Sequence, residues 1–215
     1  MPEPAPHHAD PLEPLRSPQW LSEARRKAIH LGFLILPLDL LHEVLPWQRG
    51  HRQFALLFVA LTAGAVALDL LRLHEDRVRR FFRQVLGELI REHERFSLLG
   101  STYLLLAALL AIEIFPQPVA AAALGFTVLG DATGALVGRA WGRHRVFNKS
   151  LEGAVGCFLA CLAWALYVSA VSPLTLPVMA AGALAATLVE VLPIPLDDNL
   201  GITLAAGYTM KLLLG

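Results

Sequence analysis

Seven apolar segments, separated by short polar breaks, occupy most of the chain: Ala28–Trp47, Phe54–Leu73, Leu98–Phe115, Val119–Ala140, Gly153–Val171, Leu174–Leu192 and Leu200–Leu214. Each approaches the ~20 residues a helix needs to cross ~30 Å of hydrocarbon. Proline-bearing turns at 115–118 and 172–173 join neighbouring segments into hairpins, Pro193 and Pro195 break the chain before the last, and Pro37 is placed to kink the first. The final run is short and begins with charges, which suits a tilted or partly re-entrant helix. Between the second and third segments, residues 75–96 repeat differently. Val78, Phe81, Phe82, Val85, Leu86, Leu89 and Ile90 recur at helical spacing while Arg and Glu fill the other face. This pattern predicts an amphipathic helix lying at the headgroup level. The predicted fold is all-α: a polytopic membrane bundle of about seven transmembrane helices plus one interfacial helix.

Composition agrees, with 55% hydrophobic and 17% charged residues among 215, far from a soluble average. Residues 1–20 are Pro-rich without apolar periodicity and are expected to be a disordered tail lacking a signal peptide, with residues 21–215 forming a single domain. His7 and His8 in that tail carry no weight as a metal site. Cys157 and Cys161 stand four apart on one apolar run, which suits packing against a neighbour.

Net charge is zero, but its distribution is uneven. With the amino terminus in the cytoplasm, all of the 18 Lys and Arg except Arg49, Arg52 and Lys211 fall on the cytoplasmic side, as the positive-inside rule demands. A bacterial plasma membrane is the expected location; nucleic acid is not an expected partner.

Acidic residues supply the candidate chemistry. Asp131 lies within the fourth apolar segment, Glu190 closes the sixth, and Asp197, Asp198 and Asn199 open the seventh. Carboxylates near hydrocarbon are costly and rare without a function. In the orientation above, all of them, with His30, Lys149 and Glu152, fall toward the cytoplasmic side, where one pocket could gather them. Gly130, Gly134, Gly138 and Gly142 recur every four residues around Asp131. That stripe is readable as helix packing of the small-xxx-small kind, but packing does not account for the carboxylate within it. A carboxylate able to hold Mg²⁺, followed by the basic residues Arg139, Arg143, Arg145 and Lys149, suits a nucleoside triphosphate. The basic loop alone is also what the positive-inside rule produces. Ser150 or Asn148 can cap the next helix, with Glu152 in its first turn, and that helix start also attracts phosphate. One acid would suffice as a cap at 197–199, so the pair favours a metal. Phosphate-binding GxxxxGK[ST], protein-kinase, CxxC and GxSxG motifs are absent.

Taken together, RKAIH (26–30), GDATGALVGRAWGR (130–143), KSLEG (149–153) and EVLPIPLDDNL (190–200) resemble the membrane CTP-dependent lipid kinases: dolichol kinase, phytol kinase, fungal-type diacylglycerol kinase and bacterial polyprenol-kinase-like relatives. Their order and spacing cover nearly the whole chain after the tail. The glycine block is also similar to part of phosphatidate cytidylyltransferase, but DDNL stands where that enzyme has a longer signature rich in Gly, His, Asp and Arg. The resemblance implies CTP as phosphoryl donor, Mg²⁺ and a lipid alcohol as acceptor. It implies Asp131, Asp197, Asp198 and Glu190 as metal or phosphate ligands, with Lys149 as a phosphate-neutralising group and His30 or an aspartate as base. Gly130, Gly138, Arg139, Gly142, Arg143, Ser150, Glu152, Gly153 and Asn199 would complete the nucleotide site. The competing functions are a lipid cytidylyltransferase and a small transporter using intramembrane acids; an inverted repeat, which the latter would favour, is not apparent.

Overall fold

The structure, a computed structural model, describes residues 18–44, 51–87 and 89–215. The predicted tail lies outside these residues up to position 17, as does the end of the first apolar segment, including Trp47. The protein is a helical bundle with one short hairpin. Helix α1 (Pro18–Gly32) and α2 (Ile35–His42) are followed by α3 (His51–His74), α4 (Asp76–Leu86) and α5 (Gly100–Ile114). Then come α6 (Gln117–Gly125), α7 (Asp131–Trp141), the strands β1 (Arg145–Val146) and β2 (Lys149–Ser150), and helices α8 (Leu151–Val171), α9 (Leu176–Val191) and α10 (Asp198–Leu214).

Among the described residues, three helices are long and apolar enough to cross a bilayer: Phe54–His74, Gln117–Trp141 and Leu151–Val171. Gly100–Ile114 and Leu176–Val191 are shorter and apolar. The three differ in what surrounds them. The most apolar stretch of Gln117–Trp141 is 78% buried within the bundle, while those of the other two are 28% buried. The outer helices present Leu56, Val59, Leu68, Val155, Leu159 and Leu166 outward, as a lipid-bathed surface requires. The central helix packs through small side chains, Ala120 to Ala123 being wholly buried, so neighbouring backbones approach closely.

Two breaks in regularity shape the site. The first apolar segment is not one helix: the chain turns at Phe33 and Leu34, whose amides bond His30 O and Leu31 O three residues back. Pro37 has no N–H for the Phe33 carbonyl, and its ring crowds that turn. Within the central helix, a π turn at Phe126–Gly130 joins α6 to α7, placing one extra residue immediately before Asp131. Such π turns recur at functional sites. The Thr127 hydroxyl meets that of Thr203 at 2.7 Å and ties the turn to α10.

The amphipathic segment is shorter as a helix than predicted. It ends at Leu86, followed by Gly87, a poor helix former, and a 3₁₀ turn at His93–Arg95 brings the chain back toward α5. A buried network anchors this return. Arg72 donates to Asp69 Oδ1 (2.9 Å), Glu94 O (2.9 Å) and Ser97 O (2.6 Å), while Asp69 Oδ2 accepts from Leu99 N (2.8 Å) and Thr102 Oγ1 (2.6 Å).

Close packing makes a prediction. A Cβ on Gly125 would overlap the Trp164 indole, and one on Gly207 the Phe115 ring, whereas Gly32 and Gly64 have open space. Gly125→Ala and Gly207→Ala should each destabilise the protein by about 1–3 kcal/mol, read as a lowered thermal midpoint in detergent. Gly64→Ala should not lower it.

Candidate active site

Three carboxylates from three helices converge. Asp131 is the first residue of α7, Glu190 lies one residue from the end of α9, and Asp198 is the first residue of α10. One oxygen from each lies within 4.8 Å of the others. The turn between α9 and α10, broken by Pro193 and Pro195, reverses the chain and sets Glu190 beside Asp198. Both Asp131 and Glu190 are buried.

Their charge is matched locally. Lys27 of α1, itself buried, pairs with Asp131 Oδ2, and His30 Nε2 stands 3.6 Å from the same oxygen. Lys149 bridges the other two acids, its Nζ 2.7 Å from Glu190 Oε1 and 2.9 Å from Asp198 Oδ2. Burial opposes a charge on Lys149, but the Glu190 and Asp198 carboxylates outweigh it and hold the ammonium pKa above its ordinary value. Glu190 Oε2 is buried without a hydrogen-bond partner among the described residues. Three carboxylates with one oxygen unspent form a hard-oxygen donor set that fits Mg²⁺.

The cluster stands where two cavities of opposite character meet. A polar cavity of about 540 Å³ is walled by Glu23, Arg26, Arg139, Arg145, Asn148, Lys149 and Ser150 together with the acids. The buried Glu23 carboxylate pairs with both Arg26 and Arg139 (3.1 Å to the latter), so two guanidinium groups are held at the wall. The hairpin delivers Arg145, Asn148 and Lys149. Its bend contains Phe147 at φ 53°, a left-handed conformation uncommon for a bulky residue and met at functional sites. An apolar cavity of about 200 Å³ lies on the other side, lined by Ile29, Phe33, Leu86, Leu89, Ile90 and Leu104. His30 and Asn199 also line it, and His30 Nε2 and Asn199 Oδ1 are buried without hydrogen-bond partners among the described residues. Among the described residues, four line both cavities: Arg26, Arg91, Asp131 and Asp198.

Most of the expected site residues meet here, and several do not. Asp131, Glu190, Asp198, Lys149, Ser150, Gly138 and Arg139 line the polar cavity, and His30 the apolar one. Asp197 is not one of the clustered acids: its Oδ1 caps α10, accepting from Asn199 N and Nδ2, both at 3.0 Å. Burial pushes its carboxyl pKa upward. Asn199 belongs to the apolar wall rather than the nucleotide side. Gly130, Gly142 and Gly153 serve the packing of α7 on α8: a Cβ would lie 2.7 Å from Cys161 Sγ at Gly130, 2.8 Å from Ser150 Oγ at Gly142, and 2.8 Å from Gly134 O at Gly153. The stripe is therefore chiefly a close helix contact, and Cys157 and Cys161 are its buried counterpart. Ser150 caps α8 through Gly153 N at 3.1 Å. Arg143 is exposed away from the cavities, and Glu152 holds His144 at 2.8 Å on the hairpin's outer side. Glu23 and Arg91 escaped the sequence reading because each sits among other charges at ordinary helical spacing.

The chain is similar to known proteins over about two thirds of its length. It is 28% identical over 160 residues to the CTP-dependent diacylglycerol kinase 1 of Schizosaccharomyces pombe, covering 70% of this chain and 69% of the relative. It is 29% identical over 156 residues to the protein of the same name in Eremothecium gossypii, covering 67% of this chain and 47% of the relative. An uncharacterized protein of Rickettsia prowazekii is 26% identical over 143 residues, 65% of this chain and 67% of that one. No protein-family model and no solved structure matches. The resemblance to CTP-dependent lipid kinases seen in the motifs thus reappears across two thirds of the chain.

The buried Lys27–Asp131 pair makes a stability prediction. Lys27→Met leaves a buried carboxylate uncompensated and should cost about 3–5 kcal/mol. Adding Asp131→Asn should recover part of that loss. A double-mutant cycle of thermal unfolding in detergent measures the coupling; additive losses would show that the pair is not coupled.

Proposed function

We propose that the protein is a CTP-dependent kinase that phosphorylates the hydroxyl of a membrane lipid alcohol, of the polyprenol, phytol or diacylglycerol type. One observation carries this reading: a carboxylate cluster placed between a cationic cavity and an apolar one. Phosphoryl transfer to a lipid needs a triphosphate and an alkyl chain to meet at one point while each keeps its own environment. The relatives' names, which pair CTP with a lipid, support the same conclusion.

In this reading the triphosphate occupies the polar cavity, against Arg26, Arg139, Arg145 and Lys149. The alcohol enters from the bilayer past Ile29, Leu86, Leu89 and Ile90. Its oxygen attacks the γ-phosphorus, the bond to the β,γ-bridging oxygen breaks, and CDP leaves with that electron pair. The hydroxyl proton passes to His30 Nε2 or to an aspartate of the cluster. Asp131, Glu190 and Asp198 would hold Mg²⁺, which neutralises triphosphate charge when bound. The remaining catalysis is positioning and electrostatic stabilisation. Two buried polar atoms without hydrogen-bond partners among the described residues, His30 Nε2 and Asn199 Oδ1, favour an acceptor that brings an O–H donor. A lipid phosphate, as a cytidylyltransferase would use, would set anionic oxygens against those lone pairs and the aspartates.

Membrane placement completes the reading. The broken first segment and six further helices cross the plasma membrane, with the site and amino terminus cytoplasmic. Helix α4 lies at the interface, its exposed Phe81 and Val85 in the acyl region and Arg77, Arg80 and Arg83 among anionic headgroups.

Purified protein given γ-labelled CTP and a panel of lipid alcohols should place the label in lipid, while α-labelled CTP should yield only soluble CDP. α-Label in lipid would establish cytidylyl transfer instead. Asp131→Asn should lower turnover by roughly 10²-fold or more while the protein still inserts and purifies. Cysteines substituted at Gln117 and His144 should be labelled from opposite sides of the membrane; labelling from one side overturns the topology.

A further inference from the structure

We infer that Arg91 binds the phosphoryl group in flight, as a catalytic residue that the motifs do not contain; the inference rests on the kinase reading. A group moving from a nucleotide in the polar cavity to an alcohol in the apolar one must pass the boundary that both share. Among the described residues, only Arg26, Arg91, Asp131 and Asp198 line both. Two of these are cations, and Arg26 is already paired with Glu23. Lys27 is committed to Asp131, Lys149 to Glu190 and Asp198, and Arg139 to Glu23, while Arg145, on the hairpin, lines the polar cavity and not the boundary. Among the described residues, no hydrogen-bond or ion-pair partner is found for the Arg91 guanidinium.

Its backbone, by contrast, is held. Glu94, itself buried, accepts from Arg91 N at 2.8 Å through Oε2 and from Gly100 N at 3.0 Å through Oε1. The Glu94 carbonyl in turn accepts from Arg72. The segment is therefore pinned to α3 and α5 while the side chain stays half-buried at the cavity boundary. The surrounding carboxylates, Asp131 foremost, hold the guanidinium charged against the effect of burial. A fixed backbone, a permanent charge and an uncommitted planar fork of donors suit a group that must grip phosphoryl oxygens only as charge shifts toward the leaving oxygen. Arginines acting in this way contribute about 10³–10⁵ in turnover in other phosphoryl-transfer enzymes.

The test uses the full-length protein in detergent–lipid micelles, with γ-labelled CTP and an alcohol that the wild type phosphorylates. R91A should lower kcat by at least about 10²-fold, with KM for CTP and for the alcohol changed less than about threefold. Added guanidinium should restore part of the rate by entering the vacated space, and R91K should be intermediate because it keeps the charge without the fork. A kcat within threefold of wild type in R91A overturns the assignment. So does a loss that guanidinium does not relieve and that accompanies a lowered thermal midpoint. If R91A does not fold, R91K decides: a wild-type kcat in that variant overturns the role of the fork. Wild-type protein that labels no lipid from γ-labelled CTP, yet labels it from α-labelled CTP, would sink the kinase reading itself, an outcome distinct from a silent R91A.

Discussion

Three carboxylates held within 4.8 Å inside an apolar bundle are the constraint on which the rest depends. Two unit negative charges at that distance repel by about 3–4 kcal/mol at an effective dielectric of ~20. Left to themselves, such acids would separate, take up protons or admit water. Here Lys27 closes one side of the cluster and Lys149 the other. Each lysine must in turn be carried to its place: Lys27 by a helix that breaks before Pro37, Lys149 by a hairpin whose bend stores a left-handed phenylalanine. The glycine stripe, the π turn and the α9–α10 reversal are the backbone conditions for this balance of charge.

The π turn shows how a local irregularity serves it. A regular helix through 117–141 would rotate Asp131 and everything after it by about 100° relative to the alanine-packed half. With the extra residue, Ala120 to Ala123 stay in the core while Asp131 meets Lys27, and the glycines still face α8. Thr127 and Thr203 stabilise the turn from within the bundle. Polar atoms there need internal partners, because the surroundings offer no water.

The cluster also separates two solvents. Arginines, the hairpin and Glu23 make one side suitable for anions; Ile29, Phe33, Leu86 and Leu104 make the other suitable for a hydrocarbon chain. The amphipathic segment contributes to the boundary itself, since Leu86, Leu89 and Ile90 line the apolar side and Arg91 touches both. A single stretch of chain thus runs from helix α4 to the boundary between the two cavities.

Much of this was legible in the sequence. Apolar length predicted helices, and the α3, α5, α8 and α9 bounds fall within a few residues of the expected ones, because burial in lipid or in a helical core permits little else. Acids within or at the ends of apolar runs marked Asp131, Glu190 and the Asp197–Asp198 pair, since an unpaired charge there is too costly to be incidental. Local pattern could not separate Asp198 from Asp197: adjacent acids at a helix start are equivalent until the fold decides which one caps the backbone and which faces a cavity. Nor could it assign the glycines, because packing and phosphate contact both require the missing Cβ, and only the position of α8 shows that Gly130, Gly142 and Gly153 pack. Arg91 and Glu23 were invisible for a related reason. On a charged helical face every arginine looks alike, and what distinguishes one is the company supplied by segments dozens of residues away. Sequence determined which groups are too costly to bury alone; tertiary structure decided which of them meet, because charge pairing across a bundle depends on distances that no local spacing encodes.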